Sequence, residues 1–319
     1  QESGLWTAIR MRPFSKNPAP ESRPKALFIT AMDTNPLSGN PASVINNYKE
    51  DFKNGVKVLS RLTEGKTYVC HAKGESLPVD SSGNVVLHGF EGPHPAGNVG
   101  THIHFLYPAH TDKPVWYIGY QDVIAVGKLF STGKLWTERV VALGGPQARN
   151  PRHLVARIGA SLDDLLKNEL EGKDIRVISG SVFNGHHAKN TFNYLGRYHN
   201  QISLLKEGKE RELLGWGGPG LEKFSVKPSF LSKLLPAKLF DITTSTHGSP
   251  RAMVPTGNYE DVMPMDILAT QLLRALITKQ TDLAQKLGCM ELDEEDLRNI
   301  GMGTGFWIDE HHIVTNYHV

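Results

Sequence analysis

Four short apolar runs of β-forming residues, set between helical and turn-rich sequence, constrain this chain more than any other feature. They are "ALFITAM" (Ala26 to Met32), "TYVCHA" (Thr67 to Ala72), "VVLHGF" (Val85 to Phe90) and "VWYIGY" (Val115 to Tyr120). Runs of this length and content read as strands, and the first reads as a buried one that ends in Asp33 and a loop rich in Pro, Gly and Asn. Between the first two, Pro41 to Leu62 spaces Val44, Ile45, Tyr48, Phe52, Val56 and Leu59 close to the helical period, with Pro41 in the first turn. "QDVIAVGKLF" (Gln121 to Phe130) predicts a second helix. Strands and helices alternating in this way specify an α/β domain with a mostly parallel sheet.

The pattern changes at "ERVVALGGPQARNP" (Glu138 to Pro151), where a β-rich run meets a Gly-Pro turn and an Asn-Pro. In "IGASLDDLL" (Ile158 to Leu166), Ser161 is placed to cap a short helix whose first turn carries acidic residues, where the helix dipole favours them. "DIRVISGSVFNG" and "HNQISLLKEG" add two strands, so 139–210 predicts a compact β-rich domain of the size of a β-grasp. Beyond it the sequence turns helical: "PMDILATQLLRALITKQ" puts Ile267, Leu268, Leu272, Leu276 and Ile277 on one face, and "DLAQKLGCMELDEEDL" continues as helix with an acidic end.

Composition narrows the functional classes. The 35 Lys plus Arg nearly balance 33 Asp plus Glu, so bulk charge implies no pull toward nucleic acid or anionic lipid. Cys70 and Cys289 are the only cysteines, which points to a fold without disulfides and a reducing, cytoplasmic location. No run approaches the roughly 20 apolar residues of a membrane span, and the start does not resemble a signal peptide. Gln1 in place of Met, and an apparent strand still running at Val319, give the look of a piece of a longer chain.

Five stretches invite a chemical reading. "VGTHIHF" sets His102 and His104 two apart, with His94 upstream; on a strand both imidazoles would face one way, but no carboxylate or cysteine of ligand spacing accompanies them, so no metal site is expected. Gly89, Gly92, Gly97 and Gly100 instead shape a loop at the carboxyl end of a strand, the usual ligand position in open α/β sheets. "AIRMRPFSK" packs Arg10, Arg12 and Lys16 around Phe14, a cationic and aromatic cluster able to grip a polar aromatic head group. "LDEEDL" (Leu292 to Leu297) reads as the solvated acidic face of a helix. "GTGFWIDEHHIVTNYHV" (Gly303 to Val319) resembles the hairpin that carries the general-base histidine, here His318, in trypsin-like proteases of the high-temperature-requirement type. No nucleophile motif follows it, so no catalytic site is expected.

"ESGLWTAIRMRPFSK", "AMDTNPL", "VLSRLTEGK", "GPHPAGNVGTHIHFL", "YQDVIAVGKLF", "YLGRYHNQ", "RAMVPTGNYEDVMPMDIL" and "LGCMELDEEDL", in this order, resemble the A subunit of the Na+-translocating NADH:quinone reductase over about residues 1 to 297. The resemblance implies a Rossmann-like domain (1–138) related to the flavin subunit of respiratory complex I, a β-grasp soluble-ligand-binding (SLBB) domain (139–210), a helical region (211–301) and a foreign-looking tail (302–319). It implies a peripheral subunit on the cytoplasmic face of the bacterial inner membrane, partnered by membrane subunits that export sodium. NADH, FAD and flavins would lie in other subunits, with ubiquinone as substrate of the complex. By position, Ile9, Arg10, Arg12, Phe14 and Lys16 become the quinone-contact candidates, and His94, Gly97, His102 and His104 the ligand-loop candidates.

The departures from related electron carriers matter as much. Their FMN loop is glycine-rich, whereas Ala8 to Ser15 contains no glycine. Their ferredoxin frame keeps only Gly257 and Pro264 here, with Met253, Thr256, Tyr259 and Met263 at the cysteine positions, so neither FMN nor an iron-sulfur cluster is expected on this chain. The rival readings are a protease fragment, from the tail, and a stand-alone α/β small-ligand binder.

Overall fold

The computed structural model describes the chain apart from residues 210–217, 224–229, 236–239, 246–252, 305–306, 310–311 and 315–319, with side chains described as far as Ile300 except at Lys233 and Asn299. The general-base candidate His318 lies outside the described residues; ahead of it, two short strands pair antiparallel, Trp307 opposite Val314.

The four predicted runs become β2 (Ala26–Ala31), β3 (Thr67–Ala72), β4 (Val85–Phe90) and β5 (Val115–Gly119), all parallel. One strand that the pattern did not disclose, β1 (Arg10–Arg12), adds antiparallel to β5 at the edge, pairing Arg10 with Tyr117 and Arg12 with Val115. The order β1-β5-β2-β3-β4 reverses direction between β2 and β5, the switch at which open parallel sheets form their ligand crevice. Leu27, Phe28 and Ile29 are fully buried. At about 1.5–3 kcal/mol for each large apolar side chain so removed from water, this strand anchors the unit.

The helix expected over Pro41 to Leu62 is two, α1 (Pro41–Asn47) and α2 (Lys49–Leu59), with a final 3-10 turn at Ser60–Leu62. Tyr48 leaves the helical region between them (φ −128°, ψ 40°), and its ring packs on Trp136 at 5.0 Å under the Lys128 ammonium. Tertiary contact of the aromatic ring overrides the local period. The segment with the paired histidines is not a strand but the helix α3 (Val99–Leu106). Two residues apart on a helix is about 200° of rotation, so His102 and His104 face opposite ways. The next helix, α4 (Tyr120–Thr132), follows β5 directly.

The second sheet has the order β7-β6-β10-β8-β9, from β6 (Glu138–Gly144), β7 (Arg152–Arg157), β8 (Ile175–Ser179), β9 (His186–His187) and β10 (Gln201–Lys206). It closes over the short helix α5 (Leu162–Leu165), which Ser161 caps as expected by accepting from the Asp164 N–H. The two sheets join through buried polar contacts: Asp122 in the first turn of α4 takes Arg139 and Arg197, each at 3.0 Å.

The C-terminal part is helical: α6 (Asn258–Val262), α7 (Ala269–Ile277), α8 (Thr281–Lys286) and α9 (Glu294–Thr304). The helix expected through "DLAQKLGCMELDEEDL" breaks at Gly288 (φ 92°) and restarts at α9. Its two apolar clusters draw only on residues 253–300, and Met253, Tyr259 and Met263 fill one of them. Among the described residues, no helix is long and apolar enough to cross a membrane.

Candidate functional site

The stretch from Ile9 to Lys16 runs along the free edge of the first sheet and turns back on itself, the Met11 N–H donating to the Lys16 carbonyl. The turn holds two successive non-glycine residues in left-handed backbone, Phe14 (φ 76°) and Ser15 (φ 46°). Such residues cost on the order of 1–3 kcal/mol each and persist where surrounding structure over-determines them. Here the Ser15 hydroxyl donates to Asp293, and the Ser15 carbonyl accepts from Arg10 Nε and Nη2 at 3.4 Å. Phe14 is thereby held out to solvent, 60% exposed, and Lys16 is also exposed, whereas Ile9 is buried in the core.

The two arginines part company. Arg10 is half-buried, its guanidinium 5.7 Å from the Tyr117 ring centre and 5.2 Å from that of Tyr198, with Asp293 at 3.8 Å. Arg12 is 1% exposed. Its Nη1 donates to the Glu291 carbonyl at 2.9 Å and to Asp296 Oδ2 at 3.0 Å, and its Nη2 lies 3.5 Å from Asp293 Oδ2. Arg12 Nε is buried without a hydrogen-bond partner among the described residues. Burial by itself would discourage the charge, but Asp296, Tyr117 and Asp293 outweigh it and hold the guanidinium more firmly protonated than usual. Asp293 responds in kind: burial would raise its carboxyl, yet Arg12 and Ser15 bring it below the ordinary range.

The run "LDEEDL" is therefore not a solvated face. Asp296 reaches back one turn and accepts the Asp293 backbone N–H at 3.0 Å, an N-terminal capping arrangement that turns both carboxylates inward at the start of α9. Glu295 accepts from Asn184 of the second sheet's loop at 2.9 Å. Burial, then the Asp296 charge, lifts the Glu295 carboxyl to about 7. A capping spacing, Asp-x-x-Asp before an apolar position, was present in the sequence and signals the inward turn. The identity of the arginine that receives it was not signalled.

The glycine and histidine loop sits beside this cluster and is spent on internal contacts. A side chain on Gly100 would stand 2.5 Å from Asp296 Oδ2, and one on Gly97 2.6 Å from the Thr34 nitrogen. Thr34 Oγ1 accepts from Gly97 and shares a hydrogen bond of 3.1 Å with His94 Nδ1, and the His94 ring stacks on Phe183 at 4.8 Å. His102 is fully buried, donating from Nε2 to the Ala96 carbonyl, and burial lowers its pKa to about 4. His104, on the other side of α3, donates from Nδ1 to Glu291 Oε2 at 2.8 Å and accepts the Asp266 N–H at Nε2. The structure thus brings His104, Gly100, Arg12 and Arg10 to the acidic run and separates His102 from them. Among the described residues, no group of three or more His, Cys, Asp or Glu is arranged to hold a metal ion. A separate cleft of about 310 Å³ opens at the carboxyl ends of β2 and β3, lined by Asp33, Thr34, Asn40 and Glu75 among others.

Comparison with known proteins agrees with the motifs. Residues 1–135 match the family model described as the NqrA second alpha/beta domain, and residues 140–190 match that described as the NQRA C-terminal domain, an SLBB model. The A subunit of the Na(+)-translocating NADH-quinone reductase of Vibrio alginolyticus is 59% identical over 296 residues, 93% of this chain and 66% of that protein. Its counterpart in Cellvibrio japonicus is 56% identical over 296 residues and that in Yersinia pestis 55% over 295, each again covered to 66%. The chain therefore spans about two thirds of the length of the curated relatives it matches. A solved NAD+-reducing [NiFe]-hydrogenase chain overlaps 58% of this chain and 41% of its own at a TM-score of 0.43 and 12% identity, a likeness too slight to bear on fold or function. On the identity shared along nearly all of its length, this chain belongs to the NqrA family, the A subunits of the Na(+)-translocating NADH-quinone reductases.

Proposed function

We propose that this chain works as a peripheral subunit of a Na+-translocating NADH:ubiquinone reductase on the cytoplasmic face of the bacterial membrane, and that Ile9 to Lys16 contributes to quinone contact. The assembly as a whole would couple NADH oxidation by ubiquinone to sodium export, with the flavins and FAD in its other subunits. The first sheet is read as a Rossmann-like unit and the second as a β-grasp. This chain is read as holding neither FMN nor an iron-sulfur cluster: the glycine loop that a flavin phosphate needs is replaced by side chains, and Met253 and Tyr259 offer no thiolate.

One observation carries the quinone reading. Arg10 is a partly accessible guanidinium between two tyrosine rings, next to a phenylalanine held out on a strained turn. A quinone head group is a flat ring with two carbonyl acceptors, and donors in a fork beside aromatic faces are the complement of that shape. Arg10 would donate to a carbonyl, Phe14 would pack on the ring and exposed Lys16 would border the entrance, while buried Ile9 supports the turn from beneath. Arg12 is already engaged by carboxylates and buried, and would join only after a rearrangement. The test is Arg10→Ala and Phe14→Ala in the assembled complex. Arg10→Ala should raise the KM for quinone by roughly tenfold or more, the cost of a charge-assisted hydrogen bond, and Phe14→Ala by roughly two- to tenfold, the cost of a ring contact. Unchanged KM and unchanged inhibitor sensitivity would overturn the assignment.

A further inference from the structure

Among the described residues, the C-terminal helical unit has its own apolar clusters, drawn from residues 253–300, and meets the sheets through the polar groups below. Those groups converge on one place. Asp293 takes Ser15, Arg10 and Arg12; Asp296 takes Arg12 and lies against the backbone of Gly100; Glu291 takes Arg12 through its carbonyl and His104 through its carboxylate; Glu295 takes Asn184. Among the described residues the unit can therefore leave without breaking its own apolar clusters or those of the sheets, because separation costs hydrogen bonds and ion pairs there rather than shared apolar clusters. Departure would free the Arg12 donors now held by Asp296, Asp293 and the Glu291 carbonyl.

We infer that the run Glu291 to Asp296 is a polar latch: the helical unit opens as a body, and opening exposes Arg12 beside Arg10 as a second carbonyl donor at the same stretch of chain. The motion stands on the contacts above, while the nature of the ligand it admits rests on the quinone reading. A guanidinium buried against its own chain's carboxylates reaches a ligand only in exchange for them, so closed latch and bound ligand exclude each other at Arg12.

Native-state hydrogen exchange on the full chain tests the motion. Amides of Arg10 to Ser15 and of the first turns of α9 should exchange through one shared opening, at a lower free energy than the amides of β2. Asp293→Asn should accelerate both segments together by on the order of tenfold, the share of a hydrogen bond to a charged group, and leave β2 unchanged. Exchange of the two segments at the free energy of β2 would overturn the latch, as would acceleration of one segment without the other. If Asp293→Asn does not fold, the wild-type exchange free energies decide alone. In the assembled complex, Asp293→Asn should lower the KM for quinone several-fold with a smaller effect on kcat. An unchanged KM, where Arg10→Ala does raise it, would sink the gating role. Indifference of KM to both substitutions would instead reject the quinone reading, with the latch still judged on exchange.

Discussion

β2 and the Arg10 to Ser15 stretch belong to one sheet, separated by the single strand β5, yet different forces hold them. β2 is an apolar run whose neighbours β3 and β5 are apolar runs too, and any side chains of suitable volume would seal it. Arg12 is as deeply buried as Leu27, but its neutralising groups are specific atoms of Glu291, Asp293 and Asp296, 279 or more positions further along. Hydrophobic burial is non-directional and scales with area, whereas a buried charge tolerates only partners in fixed geometry. The first kind of region announces itself locally, and the second does not.

The sharpest way to break this contrast is to damage each region once. Arg12→Ala leaves Asp296 without its counter-charge and Asp293 with Arg10 alone, and should cost about 3–5 kcal/mol. Phe28→Ala should cost a similar amount, about 3–5 kcal/mol, through the cavity it leaves. The location of the loss distinguishes them. Limited proteolysis should find the C-terminal helices released in Arg12→Ala with the sheets intact, and global unfolding at lower denaturant in Phe28→Ala. If Arg12→Ala unfolds the whole chain in one step, the two regions are a single cooperative unit.

A second prediction uses pH, and here the regions should respond with opposite signs. Glu295 binds its proton up to about 7 when folded against an ordinary 4.5, so its contribution to holding α9 is complete below about 4.5 and is lost as pH rises to 7. His102 releases its proton down to about 4 against an ordinary 6.5, so its contribution to the first unit is complete above about 6.5 and is lost as pH falls toward 4. Each effect should be on the order of 1–3 kcal/mol, read as exchange of α9 and α3 amides corrected for intrinsic rates. Glu295→Gln should flatten the α9 profile alone; a slope that survives it would place the titration elsewhere.

The smallest expected effect lies where the local sequence spoke most clearly. Ser161→Ala removes the cap of α5 and should lower stability by about 1 kcal/mol in chemical denaturation, without altering the attachment of the C-terminal unit. No loss would mean that packing of Leu162, fully buried, fixes that helix without its cap.

The sequence by itself determined the four parallel strands and the capped helix in the second sheet, because period, propensity and capping act over a few residues; the face expected of α7 was wrong, since Leu268, Leu276 and Ile277 are exposed and Ala269, Leu272, Leu273 and Ala275 are buried instead. Long, ordered motifs also determined the family. Tertiary structure alone decided that β1 exists, that Tyr48 interrupts a helix, that the His102 and His104 pair lies on a helix rather than a strand, and that "LDEEDL" faces Arg12 instead of water. These outcomes depend on groups brought together from distant parts of the chain. A charged residue carries no local mark of whether its counter-charge will be water or an arginine some 280 positions away.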